Sequence, residues 1–291
     1  MRVDLAELLA CPCCGKRMVF KGDESGGRFQ SGYFSCPSGH LYQVKEEIGL
    51  FKEGRLSANE FEWKVDVADE TRYEEVRRRY DEYLGEERRT ALRKMQDHMI
   101  DRITEVALTS DRRVLDVASG MGTFVLPLAE KSSQDFHVVA TDIDEKPLRG
   151  LMGKARRIGV YGRISLLVTD AKHLAFKSGV LSSVSSFFGF DNVPDASLAL
   201  REAARVLRVG GRVIFCSLGY EENSKSVALA DEHSVGELAS EDRLRGVLEG
   251  CGFALSSLEV FYSGVWPHNP MDLLPIEGER YEHVVIEAVK L

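Results

Sequence analysis

Two groups of residues in this chain have types and spacing that can do chemistry. The first is Val114-Leu-Asp-Val-Ala-Ser-Gly-Met-Gly-Thr-Phe124, followed by Val138-Val-Ala-Thr-Asp142. Each run starts with β-favouring residues and reaches an acid, which reads as two strands, the first feeding a tight loop and a helix. Gly120 and Gly122 allow close backbone approach to a ligand, and the helix start beyond them offers unpaired N–H groups and partial positive charge. Asp142 stands about 20 residues past Gly122, the spacing at which a carboxylate can accept hydrogen bonds from a ribose. The second group is Cys11-Pro-Cys-Cys14 with Cys36-Pro-Ser-Gly-His40. Its spacing is C-x2-C, then C-x3-H, each pair in a Pro- or Gly-bearing turn. Four such donors suit tetrahedral zinc at a closed, structural site. The expected ligands are Cys11, Cys14, Cys36 and His40, with Cys13 a spare thiol that could compete with Cys14.

The loop also narrows the nucleoside ligand. A dinucleotide fingerprint needs a third glycine, and Val125 stands there instead. Asp116 precedes the glycines inside the turn. A carboxylate there repels pyrophosphate but attracts an ammonium group. S-adenosylmethionine (SAM) has a ribose and an α-amino acid and no phosphate, so it fits.

Residues from about 110 onward resemble the class I SAM-dependent methyltransferases. Val114–Gly122 resembles the family's first motif and Val139-Ala-Thr-Asp-Ile-Asp144 the second. Val168-Thr-Asp-Ala171 resembles the third, Phe187-Phe-Gly-Phe-Asp-Asn-Val193 the stretch after the fourth strand. The run Arg201-Glu-Ala-Ala-Arg-Val-Leu-Arg-Val-Gly-Gly-Arg-Val-Ile-Phe215 resembles the helix, Gly-Gly turn and fifth strand. The resemblance implies SAM contacts at Asp116, Gly120 and Phe187 for the methionine end, at Asp142 for the ribose, and at Asp170 and Ala171 for the adenine, with Ala118, Gly122 and Ile143 also among the cofactor-binding residues. Ala118 replaces the first family glycine, and Ser182 stands where many members have Asp.

Leu5-Ala-Glu-Leu-Leu-Ala-Cys-Pro-Cys-Cys-Gly15 and Leu41-Tyr-Gln-Val-Lys-Glu-Glu-Ile-Gly-Leu-Phe51 resemble the small zinc-ribbon activators of methyltransferases. The Cys/Cys/Cys/His order is also similar to the zinc module of ribosomal-RNA guanine-N1 methyltransferases. The catalytic half does not share those enzymes' own motifs.

These groups need elements to hold them. The expected fold is α/β: a doubly wound, seven-stranded Rossmann-like methyltransferase sheet with a small N-terminal zinc ribbon. Strands are expected near 113–117, 137–141, 164–168, 183–188, 212–217, 253–262 and 282–290, the last two an antiparallel hairpin. The expected domains are residues 1–54 (zinc ribbon, with a hairpin turn in Gly22–Gly27), 55–109 (helical linker and cap, broken near Gly85) and 110–291 (the methyltransferase domain). Leu92, Met95, Met99, Ile103 and Val106 recur at helical spacing as a stripe that packs on the sheet. A 291-residue chain has room for one such domain and an appendage. A ribbon of this size needs metal to supply folding energy.

The net charge of −8 argues against a protein that coats nucleic acid. The basic pairs Arg88-Arg89, Arg93-Lys94 and Arg112-Arg113 interleave with acids, the pattern of a solvated helix face. There is no apolar run of membrane-spanning length and no hydrophobic signal segment, and the cysteines read as ligands and not as a disulfide framework, so a cytoplasmic chain is expected. Cys216 and Cys251 read as core residues.

The catalytic candidate is Asp191, as a proton acceptor after the fourth strand; a helix cap is the alternative. Tyr220 and Trp266-Pro-His-Asn269 are expected to line the acceptor side, and Phe187, Phe188 and Phe190 to pack in the core. The leading expectation is a SAM-dependent methyltransferase whose ribbon contacts RNA or another macromolecule. The alternative is a small-molecule methyltransferase, quinone-like or other metabolite, with the ribbon as a stability or dimer element. The similarity of Phe188-Gly-Phe-Asp-Asn-Val193 to quinone-biosynthesis C-methyltransferases supports it. A third reading is a non-catalytic SAM-binding partner protein.

Overall fold

The computed structural model describes residues 1–52, 70–133 and 135–291, and for 70–74, 77, 81 and 84 the backbone alone. The expected boundary at 54/55 lies outside the described residues.

All seven expected strands form. They are β5 (Arg113–Asp116), β6 (His137–Asp142), β7 (Ile164–Thr169), β8 (Leu181–Phe187), β9 (Leu207–Tyr220), β10 (Phe253–Val265) and β11 (Arg280–Lys290), after four N-terminal strands. Between them run α2 (Val125–Lys131), α3 (Glu145–Arg157), α4 (Ala196–Val206), α5 (Lys225–Glu232) and α6 (Glu241–Gly250). β6 and β7 are buried almost throughout, as parallel strands covered on both faces must be. Their Val, Ile and Leu runs supply that burial without alternation. α3 starts on Asp144, whose side chain accepts from the Lys146 N–H, and ends in Lys154, Arg156 and Arg157, complementing the helix dipole.

The sheet is larger than expected. Its order is β1-β2-β3-β4-β7-β6-β5-β8-β9-β11-β10, eleven strands in all. The first four, β1 (Val19–Ser25), β2 (Arg28–Ser35), β3 (Leu41–Lys45) and β4 (Ile48–Phe51), form an antiparallel meander. β4 then pairs in parallel with β7, from Ile48 opposite Leu166 to Phe51 opposite Thr169. Without it β7 would present an unpaired apolar edge. The edge is moved out to β1, whose Lys21-Gly-Asp-Glu24 is polar and exposed, a safer terminus for a sheet. The β1–β2 turn is Gly26-Gly27, both at positive φ (58° and 72°), the two-residue hairpin geometry that glycine serves best.

Further ties join the segment before β1, and the meander's aromatic face, to the rest of the fold. Ala10 N–H donates to the Ala175 carbonyl at 3.1 Å and Lys177 N–H to that of Leu8 at 2.9 Å. Phe20, Phe29, Phe34, Tyr42 and Phe51 form a ring-on-ring cluster that is continuous with the main apolar core.

The helix α1 (Glu70–Leu108) breaks at Gly85 (φ 72°, ψ 161°), as expected. Exposed pairs Arg79–Glu75 and Arg78–Glu82 decorate its first part. Its second part buries Met95, Met99, Ile100, Ile103 and Ala107 in the core on one side of the sheet. Among the described residues, no helix is long and apolar enough to cross a membrane.

Candidate functional site

The carboxyl ends of β5, β6, β8 and β9 open into a cavity of about 1210 Å³, roofed by α1 and by the 270–274 segment. This is the topological switch region, where open α/β sheets bind ligands. Of the expected site residues, Asp116, Ala118, Gly120, Asp142, Phe187 and Asp191 line it.

The glycine loop is held from within. Ser119 N–H donates to the Thr141 carbonyl at 2.8 Å, and Gly122 N–H to the Ser119 carbonyl at 3.0 Å. Gly120 N–H donates to Asp142 Oδ2 at 2.8 Å, while Asp144 N–H donates to Oδ1 at 3.0 Å. The loop's donors therefore turn toward the protein, which is no cradle for a pyrophosphate. Asp142 joins the two loops, and each of its oxygens retains a lone pair for a further donor. Burial pushes its carboxyl up.

Asp116 is fully buried and accepts from Ser185 Oγ and Ser119 Oγ, both at 2.7 Å. Desolvation outweighs these bonds and pushes its carboxyl up to about 7. A buried acid in that condition is poised for a cation that would restore its charge. Phe124 stacks on Phe187 with centroids 5.4 Å apart and planes 6° apart, forming one apolar wall.

Gly122, Ile143, Asp170 and Ala171 do not line the cavity. Gly122 serves packing: at φ 82°, a Cβ there would stand 2.3 Å from Leu151 Cδ1. Asp170 accepts from the Lys172 N–H at 2.9 Å, closing its own turn. Lys52, just past β4, donates to the Ile143 carbonyl at 3.1 Å. The N-terminal meander thus reaches the strand ends beside the expected adenine residues, a neighbour that local motifs do not announce.

Asp191 is not a helix cap. Its carboxylate accepts from Ser217 Oγ at 2.6 Å and Leu218 N–H at 3.0 Å, tying the turn after β8 to β9. Burial raises it to about 6. Tyr220 lines the cavity, but Trp266 lies beneath it, against the Arg88 guanidinium at 4.2 Å. His268 is exposed beside Glu277. Phe187 and Phe188 line the cavity, whereas Phe190 is core, packed edge-on to Phe215.

Sequence reasoning passed over Ser119, Ser185 and His283, and it read Arg88 with Arg89 as a solvated helix face, which the burial of Arg88 corrects. Arg88 carried a signal: it precedes Leu92, Met95 and Met99 at helical spacing, so it stands on the buried stripe and not on the charged face. It is 3% exposed.

At the other end of the sheet, the side chains of Cys11, Cys14, Cys36 and His40 place their ligand atoms within 4.8 Å of one another. Cys36 Sγ and Cys11 Sγ lie 3.3 and 3.4 Å from His40 Nδ1, and Cys14 Sγ lies 3.7 Å from Cys36 Sγ. A tetrahedron with metal–sulfur bonds of about 2.3 Å has sulfur–sulfur edges of about 3.8 Å, so the donor set fits zinc. Cys13 stands outside it, with its Sγ accepting from the Tyr42 hydroxyl at 3.1 Å.

Strand order β7-β6-β5-β8-β9-β11-β10 with a cavity at the glycine loop defines the Rossmann-like methyltransferase fold. The crystal structure of the MccD protein shares it, with a TM-score of 0.53 at 16% identity, covering 66% of this chain and 96% of that one. The chain belongs to the ubiE/COQ5 methyltransferase family, whose model matches residues 72–227, more than half of its 291 residues.

Similar proteins include the ubiquinone/menaquinone biosynthesis C-methyltransferase UbiE of Rhizobium meliloti, 35% identical over 36% of this chain and 40% of that protein. The protein of the same name from Cronobacter sakazakii is 31% identical over 45% of this chain and 55% of that protein. The chain therefore spans about half the length of the curated relatives it matches.

These relatives overturn the expectation of an RNA or other macromolecular acceptor. Their names describe small-molecule methyltransferases, the alternative reading. Of the basic pairs, Arg112 and Arg113 are held by Asp135 and Asp4.

Proposed function

We propose that this chain is a SAM-dependent methyltransferase acting on a small, ring-bearing organic acceptor, with quinone-like precursors as the model. The carrying observation is the cavity at the switch point, where Asp116, Gly120 and Asp142 from successive strands converge within a chain of the ubiE/COQ5 family. In this reading Asp116 takes the ammonium of SAM and Asp142 its ribose. Ala118, Gly120 and Phe187 surround the methionine end. Gly122 shapes the loop, Ile143 adjoins the ribose site, and Asp170 and Ala171 form the adenine edge.

The methyl sulfonium is itself a strong electrophile, so the protein's task is alignment of an acceptor atom with it. Asp191, half-buried beside the end of β9, is the group suited to accept a proton. The Cys11, Cys14, Cys36 and His40 set holds a structural zinc ion, with residues 1–54 a ribbon, 55–109 a linker and cap and 110–291 the catalytic domain. Its thiols suit a reducing, cytoplasmic compartment.

The test is methyl transfer from radiolabelled SAM into an extract of cells lacking the protein. Label in the organic-soluble fraction supports the proposal. Label confined to RNA or protein, or SAM binding with no label anywhere, sinks it.

A further inference from the structure

Where α1, β9 and β11 meet, the cavity contains a buried cation that the cofactor reading does not use. Arg88 is 3% exposed, and its Cζ lies over the rings of Trp266 and Tyr281, 4.2 and 5.2 Å from their centroids. Its Nε donates to His283 Nε2 at 2.8 Å, and His283 is 1% exposed. A guanidinium can only donate, so His283 Nε2 is the accepting nitrogen and the neutral ring carries its proton on Nδ1. Burial and the neighbouring Arg88 charge keep that ring neutral. Arg88 Nη1 and His283 Nδ1 have no hydrogen-bond partner among the described residues. Both are therefore donors, both are buried, and both residues line the cavity.

Buried donors without acceptors are costly, and where they line an open cavity a bound ligand can supply the acceptor. Tyr80 hydrogen-bonds both Arg88 and Asp272, and burial raises the Asp272 carboxyl against the opposing pull of Tyr80 and the Arg88 charge. Positive charge and two orphan donors call for an oxygen anion.

We propose that the acceptor carries an anionic oxygen, a carboxylate or an ionised ring hydroxyl, that is received by Arg88 and His283. The inference rests on the small-molecule methyltransferase reading above and names its substrate class. An anionic oxygen on the ring pushes electron density toward the ring carbons ortho and para to it. Held at Arg88, it would orient such a carbon toward the methyl group.

The test uses the full chain loaded with S-adenosylhomocysteine. The probes are 4-hydroxybenzoate against its methyl ester, and 4-nitrophenolate against 4-nitroanisole. At least one anion should bind about 10- to 100-fold tighter than its neutral partner, as expected for charge-assisted hydrogen bonds. The pair that shows the preference identifies carboxylate or phenolate as the source. Arg88→Met should abolish the preference and Arg88→Lys should retain part of it. Equal affinities within both pairs, no binding of either anion, or a preference that survives Arg88→Met would overturn the inference. The wild-type comparison decides even if the variants fail to fold. Failure of S-adenosylhomocysteine to bind would instead defeat the methyltransferase reading.

Discussion

Asp116 sets the pH range in which the cavity can accept a cationic cofactor. Its carboxyl, buried and bonded to two serine hydroxyls, ionises at about 7 in the apo protein. The ammonium of SAM or S-adenosylhomocysteine is attracted only by the ionised form. From about pH 7 to about pH 5 the ionised fraction falls from roughly one half to roughly one in a hundred. The Kd for S-adenosylhomocysteine should therefore rise roughly 50-fold over that interval, about 2.3 kcal/mol. Calorimetry in buffers of different ionisation enthalpy should also detect a proton released on binding near pH 6. Asp142 and Asp191 share the cavity and are also raised, so Asp116→Asn isolates the effect by removing most of the slope and weakening binding at neutral pH.

Stability should move the other way. A carboxyl that ionises at a higher pH in the folded protein than its unfolded value of about 3.9 withdraws stability as pH rises from about 4 to about 7, at about 1.4 kcal/mol for each pH unit in that window. Apo Asp116→Asn should therefore melt higher than the wild type above neutrality. An affinity flat between about pH 5 and pH 7, or an equal slope in Asp116→Asn, would refute the assignment of Asp116 to the ammonium.

Three further outcomes are expected. Gly122→Ala places a methyl group 2.3 Å from Leu151 Cδ1 at a left-handed φ; urea unfolding should show a loss of about 1–3 kcal/mol, and an unchanged midpoint would contradict the packing role. Cys14→Ser or Cys36→Ser should remove zinc by elemental analysis and lower the melting temperature of the whole chain in one transition, because β4 is paired to β7; full metal content in both variants would dismiss the metal site. Asp191→Asn should reduce kcat about 10²- to 10⁴-fold and erase an activity limb that rises with pH through about 6; unaltered kcat would leave Asp191 only its tie to Ser217 and Leu218.

Much of the fold was legible in the chain because its signals are local. The apolar runs ending at Asp116 and Asp142, the stripe Met95–Met99–Ile103 and the break at Gly85 are short-range patterns of period and turn chemistry. The C-x2-C and C-x3-H pairs each close within one turn, so their meeting was readable too. The eleven-stranded continuity was not, since pairing of β4 with β7 depends on which edge is left unsatisfied once every other strand has packed. Nor was the inward turn of the loop's N–H groups, which requires Asp142 and Thr141 to arrive from a second strand. Arg88 shows the difference most plainly. By itself it is one arginine in a charged helix. Its burial, its contact with His283 and its unpaired donor exist only because β11 and α1 converge at the cavity, where a charge type that ordinarily sits on the surface is desolvated.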